Sequence, residues 1–337
     1  MLSIDPQTHE KLMEVLDRGV KLPPMPTVGI ELVRLLRLPF QDIEVEEVAH
    51  LVEQDQSLSA RLISLSNSPF YATARTITRI KQAIVSVGLD ETISVLSYFT
   101  VRGLFPKIPK LSFFNPDEFW SHCLASAHIA RMLGQPRYLT KCLPGELYLA
   151  GLLHDIGRLI MVIHLPNEYQ RCLDYANQHS IALEQIEQSA LGVDHAVAGA
   201  HLLNDWHFPD KILDAVAFHH DPSLAPEANR QMTALIELAN LMAIENDFGL
   251  GGNLYHKPAA EAWIRSDPSS PLSNDEPWAR MLKDIQIELQ KEMAATKDPS
   301  KTSRAAGPRR KVSSSVQPRH APPKTGAWSR LLSLLGF

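Results

Sequence analysis

Apolar residues recur at helical spacing along most of the chain, and no stretch shows the sustained alternation that a half-buried strand requires. Val28, Leu32, Leu35 and Leu36 share one face, as do Leu58, Leu62 and Leu65. Residues 117–134, 145–163, 166–178, 183–190, 194–205, 209–219 and 230–246 repeat the pattern. The chain is therefore expected to be all-α. Thr27 and Asp55 are expected to cap helices. Gly88 and the run Asn67-Ser68-Pro69 are expected to end them, because a C-terminal glycine accepts the left-handed backbone and proline cannot continue a helix. With 337 residues, 45% of them apolar, there is material for a large buried core.

Composition divides the chain. A polar helix is expected within residues 1–19, and the helical body follows over 20–246. Residues 247–295 begin as a Gly-, Pro- and Ser-rich loop and end in a further helix at 276–294. Residues 296–325 lack large apolar side chains and are expected to be a disordered basic linker. Between Lys297 and Lys324 there are eight Lys/Arg against one Asp, a net +7, which leaves −12 for the rest of a chain whose net charge is −5. Residues 326–337 become apolar again. Trp328, Leu331, Leu332 and Leu335 fall at i, i+3, i+4 and i+7, the stripe of a short amphipathic helix suited to a membrane surface or a partner's groove. Without interleaved aromatic residues the linker is not expected to bind nucleic acid.

Cys123, Cys142 and Cys172 form no CxxC pair and read as reduced thiols. The N-terminus has no basic region followed by an apolar run, and no 18-residue uncharged apolar run occurs, so the expected location is cytoplasmic, with peripheral membrane contact through the tail.

Chemistry concentrates in Gly151-Leu152-Leu153-His154-Asp155-Ile156-Gly157. Burying His and Asp among Leu and Ile is costly unless they bind each other, a metal or another polar group. His122, His195, His219 and His220 lie on other helices and are candidates to complete a shell. Imidazole and carboxylate suit Fe, Mn, Zn or Mg, depending on ligand count. For each histidine alone the plainer reading is a satisfied core or surface residue. His128, His164, His179, His201 and His207 are read that way.

This set resembles the HD phosphohydrolases, which hold metal through an early His, a His-Asp pair and a later Asp. His122 and His154-Asp155 match the first three positions; His195 and His219-His220 resemble the additions of the HD-GYP branch, which cleaves cyclic di-GMP. Three departures stand out. Leu238-Ala239-Asn240 has Asn where the late Asp is expected, Arg158 stands where a Lys is common, and no Gly-Tyr-Pro follows His220. The segments Leu22-Pro23-Pro24-Met25-Pro26, Glu53-Gln54-Asp55, Leu58 to Leu62, Ser66 to Tyr71, Gln82-Ala83-Ile84, Leu89 and Trp206-x-x-Pro209 are similar to the HDOD family, a helical relative that is often regulatory.

The resemblance implies a multi-helix HDOD/HD-like bundle serving bacterial signal transduction through ligand or protein–protein binding, without hydrolase activity. Kinases, cyclic-nucleotide enzymes or a second copy of the chain are the implied partners. Two alternatives stay open: a metal-dependent phosphodiesterase or phosphohydrolase with Asp155 in its catalytic centre, and a metal-binding regulator without turnover.

Overall fold

A computed structural model describes residues 6–17, 24–68, 71, 76–105, 107–138, 140–246, 248 and 271–294. Their regular structure is helical throughout, with a single isolated bridge between Leu111 and Phe114. The helices are α1 (Pro6–Asp17), α2 (Thr27–Leu36), α3 (Val45–Glu53), α4 (Gln56–Ser66), α5 (Ile80–Val87), α6 (Leu89–Gly103), α7 (Pro116–Leu133) and α8 (Pro144–Leu153). They continue with α9 (Gly157–His164), α10 (Pro166–His179), α11 (Leu183–Leu191), α12 (His195–Asp205), α13 (Asp210–Ala217), α14 (Arg230–Glu245) and α15 (Asp275–Ala294). The all-α expectation holds. The chain divides into two units, Met1–Leu282 and Lys283–Phe337, and in the second only the last turns of α15 are described. The Leu22-Pro23 segment, Phe70, the 249–270 loop, the basic linker and the 326–337 stripe with Trp328, Leu331, Leu332 and Leu335 lie outside the described residues.

Local sequence accounts for most boundaries. Asp55 caps α4 by accepting from the Ser57 and Leu58 amides. Asn115 does the same for α7 by accepting from Asp117 N, and Pro116 occupies the first helical position, where no backbone donor is needed. Asn67 ends α4 and also fastens the next segment: its amide donates to Ile77 O while its oxygen accepts from Ile77 N, both at 2.8 Å. Thr27 differs from expectation. It is the first helical residue rather than the cap, and Pro26 precedes it without a capping side chain.

The apolar stretch at 145–163 also differs, because it is two helices rather than one. Around His154 to Ile156 the backbone tightens to i→i−3 bonds: Ile156 N to Leu153 O at 3.0 Å, Arg158 N to Asp155 O at 3.0 Å and Leu159 N to Ile156 O at 3.1 Å. The residues from Pro144 to His164 together contain an 18-residue window apolar enough to cross a membrane, yet 89% of that window is buried inside the protein. Helices α7, α13 and α14 pack on α8, and α12 packs on α9. At the α9–α12 contact the backbones touch. A Cβ on Gly157 would fall 2.0 Å from His195 O, so only glycine allows this approach.

Candidate metal centre

Four parts of the fold bring the candidate residues together. His122 comes from the inner face of α7, His154 and Asp155 from the tightened turn between α8 and α9, and His195 from the first position of α12. His219 and His220 follow α13. His122, His154, Asp155, His195 and His219 are each at most 2% exposed, and His220 is half-buried.

The geometry converges on one carboxylate oxygen. Asp155 Oδ1 lies 3.1 Å from His195 Nε2, 3.6 Å from His154 Nε2 and 3.7 Å from His219 Nε2. The other ring nitrogens face outward and are held. His154 Nδ1 donates to Gly151 O and His219 Nδ1 to Val216 O, each at 2.8 Å. Those bonds fix the tautomer and leave Nε2 of both rings as unprotonated lone pairs aimed inward. Both Nε2 atoms, fully buried, have no hydrogen-bond partner. Such orphaned acceptors are costly unless something occupies the space between them. Two sets of three donors, His122/His154/Asp155 and His195/His219/His220, each have ligand atoms within 4.8 Å of one another. The donor chemistry fits a divalent metal.

Around this centre lies a charge network. Glu187 of α11 accepts from His195 Nδ1 at 2.6 Å and from the His195 backbone amide at 2.9 Å. Tyr169 donates to its other oxygen at 2.9 Å. Arg158, with no exposed surface, donates to Asp155 Oδ2 at 3.0 Å and to Tyr169 Oη at 3.1 Å. Its guanidinium lies 5.5 Å from the Phe114 ring centre. Asn240, at the position expected to supply a late carboxylate, is 2% exposed, and its Oδ1 has no hydrogen-bond partner.

Electrostatics sort the groups. Burial raises the Asp155 carboxyl, but His154, Arg158 and His195 together hold it well below its ordinary value. Burial lowers the His195 imidazolium, but Glu187 and Asp155 override it and hold its pKa up at about 10. Burial, assisted by the neighbouring His154, pushes His122 down to about 4. His154 and His219 are pushed down chiefly by burial as well. In the absence of metal, the ionised Asp155 thus faces two cations, Arg158 and His195, and the imidazoles of His122, His154 and His219 are neutral.

The sign of the pH dependence follows. The raised His195 pKa contributes stability in full below its ordinary 6.5, and this is lost as the pH rises through about 10. The depressed Asp155 pKa contributes stability above its ordinary 3.8, lost only as the pH falls through its much lower folded value. With chelator present, denaturant midpoints are expected to fall between pH 7 and 10. That alkaline decline should be weaker in Glu187→Gln; an equal decline there would show that it arises elsewhere.

All six candidate ligands are thus brought into one cluster. Sequence reasoning missed Glu187, although Leu183, Ile186 and Leu191 place it on the inward face of α11, four residues from Leu183 and four from Leu191. Tyr169 was not singled out, and Arg158 was noted only as a replacement for Lys. The three cysteines are free thiols.

Fold and site together define an all-helical protein built around a buried histidine–carboxylate centre able to hold metal. The HDOD domain model matches residues 22–222, and the chain belongs to the HDOD domain family. An HDOD domain protein of unknown function from Geobacter sulfurreducens superposes with a TM-score of 0.68 at 25% identity, covering 85% of this chain and 96% of that one. A protein from Marinobacter aquaeolei VT8, provisionally described as a signal transduction protein, gives a TM-score of 0.63 at 19% identity over 86% of this chain and 66% of its own. One from Shewanella amazonensis SB2B, provisionally described as a phosphohydrolase, gives 0.55 at 22% identity over 82% and 97%. An uncharacterized protein from Treponema pallidum (strain Nichols) is 23% identical over 240 residues, 71% of this chain and 45% of that protein. The chain therefore spans less than half the length of this curated relative.

Proposed function

We propose that this chain is a regulatory module of bacterial signal transduction whose histidine–aspartate centre holds a divalent metal without turning over a substrate. The observation that carries this reading is closure of the centre. The five residues from His122 to His219 named above are at most 2% exposed, and Arg158 occupies the second oxygen of the Asp155 carboxylate. A hydrolytic centre needs an open coordination position reachable by its substrate. His154, Asp155, His195 and His219 would hold the metal, with His122 and His220 beside them. A metal there supplies Lewis acidity. This chain's own residues fix imidazole tautomers, orient His195 through Glu187, and neutralise Asp155 through Arg158. An imidazole-rich donor set favours Zn or Fe over Mg and Mn.

In this reading the output is contact with another protein, such as a kinase, a cyclic-nucleotide enzyme or a second copy of the chain. The stripe Trp328, Leu331, Leu332 and Leu335 offers a separate contact for a partner's groove or a membrane surface. A second reading, a metal-dependent phosphohydrolase acting on a cyclic or linear nucleotide, draws support from the two adjacent three-donor sets.

Purified protein separates the two. Metal content is measured first, followed by hydrolysis of cyclic di-GMP, cyclic mononucleotides and nucleoside phosphates with Zn, Fe or Mn supplied. Bound metal without turnover is the expected result. Turnover abolished by Asp155→Ala would replace the first reading with the second.

A further inference from the structure

Helix α1 lies outside the segment that defines the family match, which begins at residue 22. It nevertheless packs against α9, α11 and α12, the helices that carry Arg158, Glu187 and His195. Leu12 and Leu16, one turn apart on its inner face, are 0% and 3% exposed. Their burial is what seats the helix, since a polar twelve-residue helix has little stability of its own in water.

The contact falls on one particular turn. His9 Nδ1 donates to Leu191 O, the last residue of α11, at 2.8 Å. The next residue, Gly192, has φ +83°, a backbone open to glycine, and a Cβ there would meet the His9 ring at 2.3 Å. His9 therefore sits directly on the Gly192 backbone. This turn joins Glu187 to His195, and its shape decides whether Glu187 reaches both the ring and the backbone amide of His195. Both bonds run between α11 and the start of α12, so both depend on how these two helices are held together.

We propose that α1 is a positioning element for the centre: docked through His9, Leu12 and Leu16, it holds the α11–α12 turn in the shape that lets Glu187 orient His195, and its release loosens His195 and weakens metal binding. The metal half of this proposal rests on the reading given above. The positioning half does not, because the Glu187–His195 bonds exist without metal. Coupling of this kind is reciprocal, so metal binding must in turn stabilise the docked helix.

The His195 amide gives a direct readout. As the first residue of α12 it has no intrahelical acceptor, so its protection from hydrogen exchange reports the Glu187 contact. In the full chain carrying Leu12→Ser and Leu16→Ser, exchange at His195 is expected to accelerate about tenfold. Core amides of α6 and α8 should change little, and the Leu12→Met/Leu16→Met control should restore protection. Zn2+, titrated against a chromophoric chelator, should bind about tenfold more weakly to the Ser variant. In the unaltered chain Zn2+ should slow exchange along α1, which a merely stabilising helix would not show. If the double variant fails to fold, His9→Ala removes one hydrogen bond and should still speed His195 exchange by about threefold. Unchanged His195 exchange, or acceleration only in step with the α6 and α8 amides, would overturn the proposal. Failure of the unaltered chain to take up Zn2+ or any other divalent metal would count against the metal reading instead, and His195 exchange would then decide the positioning role alone.

Discussion

Asp155→Ala is expected to abolish metal uptake and to lower stability by about 3–5 kcal/mol, the range seen when one member of a buried ion pair is removed. Asp155 supplies the oxygen on which three imidazoles converge, and it is the carboxylate paired with fully buried Arg158. Without it the guanidinium keeps Tyr169 as an acceptor but loses its counter-charge. Chelator competition measures the first effect and a denaturant midpoint the second. Undiminished metal content in the variant would move the binding set to His195, His219 and His220.

Arg158→Leu should act with opposite signs on the same two measurements. Stability without metal is expected to fall by about 3 kcal/mol, because the Asp155 carboxylate loses one of its two buried cationic partners and keeps only His195. Metal affinity is expected to rise, since Asp155 Oδ2 is released and the nearest fixed positive charge is gone. Added Zn2+ should therefore raise the midpoint of this variant more than that of the unaltered chain, through preferential binding to the folded form. A variant that binds Zn2+ more weakly would show that Arg158 supports the metal ligands instead of competing with the ion for Asp155.

Most helices were legible from the sequence because their determinants are local. Asp55, Asn115 and the apolar spacing of α7 to α14 each act within a few residues. The candidate ligands were legible for a related reason: a polar pair such as His154-Asp155 in an apolar run announces a cost that something must offset. What the residues alone did not reveal depends on contacts between distant segments. The tightened turn at 154–156 is not visible in a pattern that continues unbroken from 145 to 163. Glu187 carries the periodicity of a core position and the chemistry of a surface one. Its role follows only from α11 meeting α12 beside Asp155. Arg158 reads as a substitution in a short motif until Tyr169, eleven residues on, turns out to be its second acceptor. Thr27 was misplaced because serine-like residues beside a proline suggest a cap, whereas Pro26 itself occupies that position.

The stretch from Pro144 to His164 has a consequence for the newly made chain. Before α7, α12 and α14 cover it, this segment offers insertion machinery a length and hydropathy close to those of a membrane anchor. Near its middle lie His154, Asp155 and Arg158. On a biological insertion scale Asp or Arg at the centre of a span costs about 2.5–3.5 kcal/mol each. The polar group that forms the centre of the folded protein therefore also opposes the diversion of this apolar segment into lipid during synthesis.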